Sequence, residues 1–273
     1  MTNPHRAVRP LLLSRDELAS CWRALPLGEP PCLLRLTGPP GLTVAESRRH
    51  ADAVLAAMAE RGLTDGNRPV PALAELLALL ARPDYRLDIR FPGPHGRPIL
   101  GLGAVAGTRG LVVVGAEAFG PLELLALDSA QVCATLLGLV GDIRPARGTP
   151  VNIPADLVDA AVAATEEHSI WSLAEQLQAR GVSLSESSSL ARMCSGITFG
   201  AKLGASAVRH GSERRGDWVI GFQRTDTGYA MNVRRHNTIT VCPTDAARLT
   251  RHWHELVQAT LVSGCAQRPH SVC

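Results

Sequence analysis

Aromatic residues are scarce in this chain of 273 residues, at 4% of positions, so its core has to be built mainly from aliphatic side chains. Long apolar runs are lacking as well. None reaches the roughly 18 residues that a membrane-spanning helix needs. The stretch from Met1 to Pro10 carries His5, Arg6 and Arg9, and only Leu11–Leu13 follow as an apolar run, so neither an export signal nor membrane insertion is expected. The seven cysteines (21, 32, 133, 194, 242, 265 and 273) contain no C-x-x-C pair and are odd in number, which excludes a regular disulfide scaffold and points to reduced thiols in a cytoplasmic protein. An excess of one charge is missing too. Twenty-eight basic residues against 25 acidic ones leave a formal charge of +3, too little and too scattered for a strong nucleic-acid or anionic-lipid footprint.

Catalytic motifs are equally sparse. The chain has no G-x-S-x-G elbow, no phosphate-binding glycine loop ending in Lys-Ser or Lys-Thr, and no H-E-x-x-H. Gly101, Gly103 and Gly107 resemble a dinucleotide loop, but the third glycine comes one residue late and the sequence after it reads as a strand, not as the helix whose free N–H groups a phosphate requires. His252 and His254 lie two residues apart on a helix, so they diverge by about 200° and cannot share a metal. Arg214–Arg215 and Arg234–Arg235 lack the interleaved aromatics of a stacking surface. No cofactor, metal or nucleic acid is expected. The competing classes are an enzyme whose site is assembled from distant residues and a nucleic-acid-binding regulator.

What the chain does have is punctuation. Ser14–Glu17 and Thr43–Glu46 are capping boxes, each followed by apolar residues at helical spacing: Leu18, Cys21, Trp22 and Leu25 after the first, and Ala51, Val54, Leu55, Met58 and Ala59 up to Gly62 after the second. Pro71–Ala81 reads as a third helix. Pro31–Leu36 reads as a strand, and Tyr85–Phe91 alternates apolar with charged residues as a half-buried strand does. Strands are expected over 98–106, 110–116 and 121–126, then a helix over 128–140. In the second half helices are expected over 155–164 (with Pro154 in the first turn), 170–179 and 245–261, and strands over 197–203, 218–224, 228–235 and 238–242.

Residues 100–140 lie over 217–257 at an offset of 117, which sets Asp128 on Asp245. This order of strands, turn, cap and helix predicts a quasi-twofold, single-domain α+β protein with a central antiparallel sheet and a helical cluster on each half. The halves span about 10–146 and 147–263, and 264–273 form a loose tail. Exposed sheet edges would allow a weak homodimer.

The segment Ser183–Ser189 places apolar residues in a polar, mobile frame. Leu173, Leu177, Val182, Leu184, Leu190 and Met193 are the candidate partner-binding residues, forming an apolar groove edge that a partner's helix would cover.

Several stretches resemble the EspG family of ESX (type VII) secretion-associated chaperones: Leu13–Leu18, Pro30–Arg35, Gly41–Arg48 and Arg82–Arg90 early on, and Phe199–Ala201, Val219–Phe222, Thr225–Tyr229 and Val241–Asp245 later. The chain departs from the family pattern at Ile197–Gly200, where Gly-Gln-Phe-Gly is usual, and at Gly228–Tyr229, where an Arg usually intervenes. The resemblance implies a non-catalytic cytosolic chaperone that binds the helical tip of a PPE protein in a PE–PPE heterodimer. It points to the loop Pro92–Arg97, with His95 in it, and to Leu173–Cys194 as the binding regions.

Overall fold

The structure, a computed structural model, describes residues 10–36, 41–116, 120–165, 170–209 and 212–266. The tail expected at 264–273 lies outside these residues from 267 onward. The chain is mixed α+β and divides into two compact units. Residues 89–92 group with the second unit and 207–214 with the first.

The first unit opens with strand β1 (Leu11–Leu13) and helix α1 (Arg15–Arg23). Ser14 and Glu17 cap α1 reciprocally, as the capping box predicts. Thr43 and Glu46 do the same for α2 (Val44–Glu60), and Gly62 ends that helix with φ +68°. A two-stranded ribbon, β2 (Thr64–Asp65) and β3 (Arg68–Pro69), leads into α3 (Pro71–Ala81), whose bounds are those expected. Then come β4 (Tyr85–Pro92), β5 (Pro98–Ala106), β6 (Arg109–Ala116) and β7 (Leu122–Asp128), ordered β1-β7-β6-β5-β4, and helix α4 (Val132–Gly138). Leu18, Met58, Leu73, Leu77 and Leu80 pack with Leu100, Leu102, Leu111 and Leu124 in an aliphatic core.

The second unit contains β8 (Val151–Pro154), α5 (Ala155–Ala163), α6 (Ile170–Ala179), α7 (Leu184–Cys194), β9 (Phe199–Arg209) up to residue 206, β11 (Ile220–Thr225), β12 (Gly228–Arg235), β13 (Thr238–Pro243) and α8 (Ala246–Ala266); β10 (Ser212–Arg215), which pairs with β9, groups with the first unit over 212–214. Its strand order is β9-β11-β12-β13-β8, and the pairs β9–β11, β11–β12, β12–β13 and β13–β8 are antiparallel. Val151, Ile153, Ala230 and Val241 form one core with α5 to α7.

Several sequence expectations need correction. Pro31–Leu36 is not a strand: Cys32–Leu34 form a 3-10 turn with Arg35 left-handed at φ +46°. Pro30 and Pro31 have no N–H to give a ladder, and the turn buries Leu34 completely. Strand β4 is not half-buried. Arg86 and Asp88 are buried alongside Leu87 and Ile89, and Arg86 gives Nη1 to Glu213 at 2.9 Å and Nη2 to the Leu80 and Ala81 carbonyls. Ser183–Ser189 is no mobile stretch either, since all of it past the N-cap Ser183 is helix α7. Ser187 returns its hydroxyl to the Ser183 carbonyl, and Ser189 gives one to the Thr149 carbonyl while accepting from the Thr149 N–H. With their polar atoms satisfied, both serines bury without penalty. Pro154 is the N-cap of α5 and not its first helical residue.

Candidate partner-binding site

Helix α5 is fastened by its polar side. Arg234 of β12 donates two hydrogen bonds to Asp159, at 2.9 and 2.7 Å, and they hold the Asp159 carboxyl below its usual range. Ala155 and Ala161 face inward while Val162 is 56% exposed. Helix α6 packs on α5 and α7. Its buried residues, Ala174 and Leu177, set the inner phase, which leaves Trp171 on the outside and 52% exposed. Helix α7 turns Leu190, Ala191 and Met193 inward and Leu184, at 69% exposure, outward.

The six expected patch residues therefore separate. Leu177, Leu190 and Met193 are core side chains packed with Val151, Ile153 and Val241, so they cannot line an open groove. Leu173 and Val182 are half-buried at the edge of that core. Leu184 alone stands fully in solvent. Val162 and Trp171, the exposed apolar side chains of α5 and α6, were not among the six. The signal for Trp171 was its phase, because it falls between Ile170 and Leu173 and out of step with Ala174 and Leu177.

At the end of α7 a polar strip crosses the strands. Gln223 donates to the Cys194 sulfur at 3.3 Å and accepts from Asn232 at 3.2 Å. Burial raises the Cys194 thiol above its usual value, only partly offset by the Gln223 hydrogen bond.

The loop between β4 and β5 is a compact turn of its own. The Gly93 N–H donates to the Arg97 carbonyl at 2.8 Å, and a Cβ on Gly93 would lie 2.5 Å from that oxygen and from Ile99 Cγ1. The side chain of His95 lies outside the described residues.

On α8, Trp253 is buried and donates to the Gly204 carbonyl at 2.9 Å. Burial opposes the charge on Glu255, but hydrogen bonds from Arg235 and His252 outweigh it and hold that carboxyl low. The guanidinium of Arg235 also lies 3.8 Å above the Trp218 ring. The hollow bounded by Thr250, Arg251, His254, Glu255 and Gln258 is an open shelf along one helix. Among the described residues no three His, Cys, Asp or Glu side chains gather as metal ligands, and no helix is long and apolar enough to cross a membrane.

The model of the EspG family matches residues 14–255. The chain belongs to the EspG family. The fold of this EspG protein is also that of a solved relative, the Mycobacterium tuberculosis type VII secretion system chaperone EspG5 in complex with the PE25–PPE41 dimer. The likeness has a TM-score of 0.70 at 16% identity and covers 92% of this chain and 96% of that one. No curated protein matches the sequence. In this EspG chain the stretches Phe199–Ala201 and Thr225–Tyr229 form the start of β9 and the β11–β12 hairpin. There Phe91, Phe199, Phe222 and Tyr229 stand within 5.8 to 6.3 Å of one another along successive ring pairs.

Proposed function

We propose that this EspG protein is a cytosolic secretion chaperone that holds a helical export substrate of PE–PPE type and keeps it soluble for a type VII (ESX) system. The observation that carries the reading is family membership across 14–255, together with a fold shared with a chaperone solved in complex with a PE–PPE dimer. The protein works by covering surface, not by catalysis: an apolar tip on the substrate would self-associate, and burying it removes that driving force.

The contact surface on the second unit is the outer side of α5 to α7, with Val162, Trp171 and Leu184 exposed and Leu173 and Val182 at their base. Leu177, Leu190 and Met193 serve it from below as support. The loop Pro92–Arg97 with His95 is a separate recognition element, already folded by its own hydrogen bonds.

The test is affinity purification of the tagged protein from the cytosol of its own host, followed by size exclusion and mass spectrometry. A stoichiometric helical partner of PE–PPE type is expected, and Leu184→Asp should remove it while the thermal transition stays. A monomer that carries nothing overturns the reading. Leu190→Asp is unsuitable for this purpose, since Leu190 is 6% exposed and its charge would be buried.

A further inference from the structure

What lets such a chaperone accept one helical tip and refuse another is written on the outer face of α6. Trp171 is exposed there, and Glu175, one turn further along, is exposed on the same face. The second unit shows elsewhere what an indole and a carboxylate side by side are suited to hold. Arg235 sits 3.8 Å above the Trp218 ring while its Nη2 donates to Glu255 at 3.0 Å. The ring quadrupole attracts the cation and the carboxylate fixes its N–H groups, so the three side chains complete one another. At Trp171 and Glu175 the indole and the carboxylate are present, and among the described residues no cation lies over the ring.

The charge around this pair has the sign that a cation would seek. Among the described residues of 155–194, Asp156, Asp159, Glu175 and Glu186 stand against Arg180 and Arg192, within a chain of net charge +3. Asp159 is already matched by Arg234.

We propose that Trp171 and Glu175 together form a receptor for one basic side chain, an arginine by preference, carried on the apolar tip of the helical substrate. Arginine suits it better than lysine because a planar guanidinium stacks on the indole while its edge still reaches the carboxylate. Val162 and Leu184 supply apolar surface on the same helical cluster, and the acidic surroundings turn away tips that carry carboxylates. This proposal rests on the chaperone reading and adds the substrate feature that the site selects.

The probe is a PE–PPE heterodimer from the same genome, titrated calorimetrically into the full chain at low and at high salt. Trp171→Ala and Glu175→Lys should each weaken binding roughly tenfold or more. Trp171→Phe should retain part of the affinity. Glu175→Gln should weaken binding less and flatten its salt dependence. Replacing the tip arginine of the substrate by glutamate should restore binding to Glu175→Lys and abolish it with the wild type. A heterodimer that binds wild type, Trp171→Ala and Glu175→Lys with one affinity and one salt dependence overturns the basic-anchor proposal and leaves the chaperone reading standing. A heterodimer that does not bind even the wild type overturns both.

Discussion

The two units build the same three-strand meander and fill it in opposite ways. In each, a two-residue turn joins the first pair of strands, closed by Ala106 opposite Arg109 in one and Thr225 opposite Gly228 in the other. In each, an aspartate at or just past the end of the third strand caps the helical turn that follows: Asp128 with Gln131, at the 3-10 turn Ser129–Gln131, and Asp245 accepting from the Arg248 N–H. The ungapped offset of 117 holds for these caps, but the hairpins correspond at 119 (Arg109 against Gly228), because the chain between the paired residues Arg234 and Ile239 is two residues shorter than that between the paired residues Gly115 and Leu122. Placed by register, Gly103 corresponds to Phe222 and Gly110 to Tyr229. A Cβ on Gly103 or Gly110 would stand 2.5 or 2.6 Å from a methyl of Val132, so the α4 side chain reaches down onto bare backbone. In the second unit rings rise from the strands, with Phe222 and Tyr229 6.2 Å apart. Backbone pairing specifies the meander, and the volume that fills it can be supplied from either side as long as the total is kept.

The comparison can be broken most forcefully at Phe222. Its ring is 1% exposed, so Phe222→Ala should cost about 3–5 kcal/mol in chemical denaturation. A loss below about 1 kcal/mol would show that the rings do not carry the second core. Next, Gly103→Ala should cost about 1–3 kcal/mol through overpacking. Val132→Ala, which vacates the contested space, should recover part of that loss in the double variant, whereas additive losses would mean that Val132 is not what fills the glycine's place.

The smallest effect concerns alkaline pH. Burial pushes the Cys133 thiol in the first unit up to about 12 from an ordinary value near 9. Cys242 in the second unit is raised by burial too, but the hydrogen bond and charge of Arg248 oppose the shift. A thiol kept protonated in the fold contributes its full share below the unfolded-state pKa and loses it as pH climbs from about 9 towards 12. Cys133→Ala should therefore flatten the fall of Tm above about pH 9 more than Cys242→Ala does. Equal slopes would contradict the difference.

Helices and hairpins were legible wherever their cause is local. The capping boxes at Ser14 and Thr43, Pro71 at the head of α3, and the turn residues that bound β5, β6 and β12 all act within a few residues. Strands β1 and β8 were not legible, because three or four residues become a strand only through their partners: β1 against β7 and β8 against β13. The burial of Arg86 was hidden for the same reason, its carboxylate partner Glu213 being remote in sequence. For the proposed binding surface the sequence singled out α6 and α7, but not which side of each helix is exposed. Apolar spacing marks an amphipathic helix, yet only the inward phase of Ala174 and Leu177 shows that Trp171 looks out and that Leu190 and Met193 look in.

Arg86 also bears on how this protein can vary. One guanidinium closes the carbonyl end of α3, neutralises Glu213 on β10 and occupies a strand interior, so three local structures depend on a single codon. Lysine would bring a point charge in place of a fork and could not serve the carbonyls and the carboxylate together, while an apolar residue would strand Glu213 without its cation. No single substitution answers all three demands at once. Drift at this position therefore requires a coordinated change at Glu213 and at the end of α3.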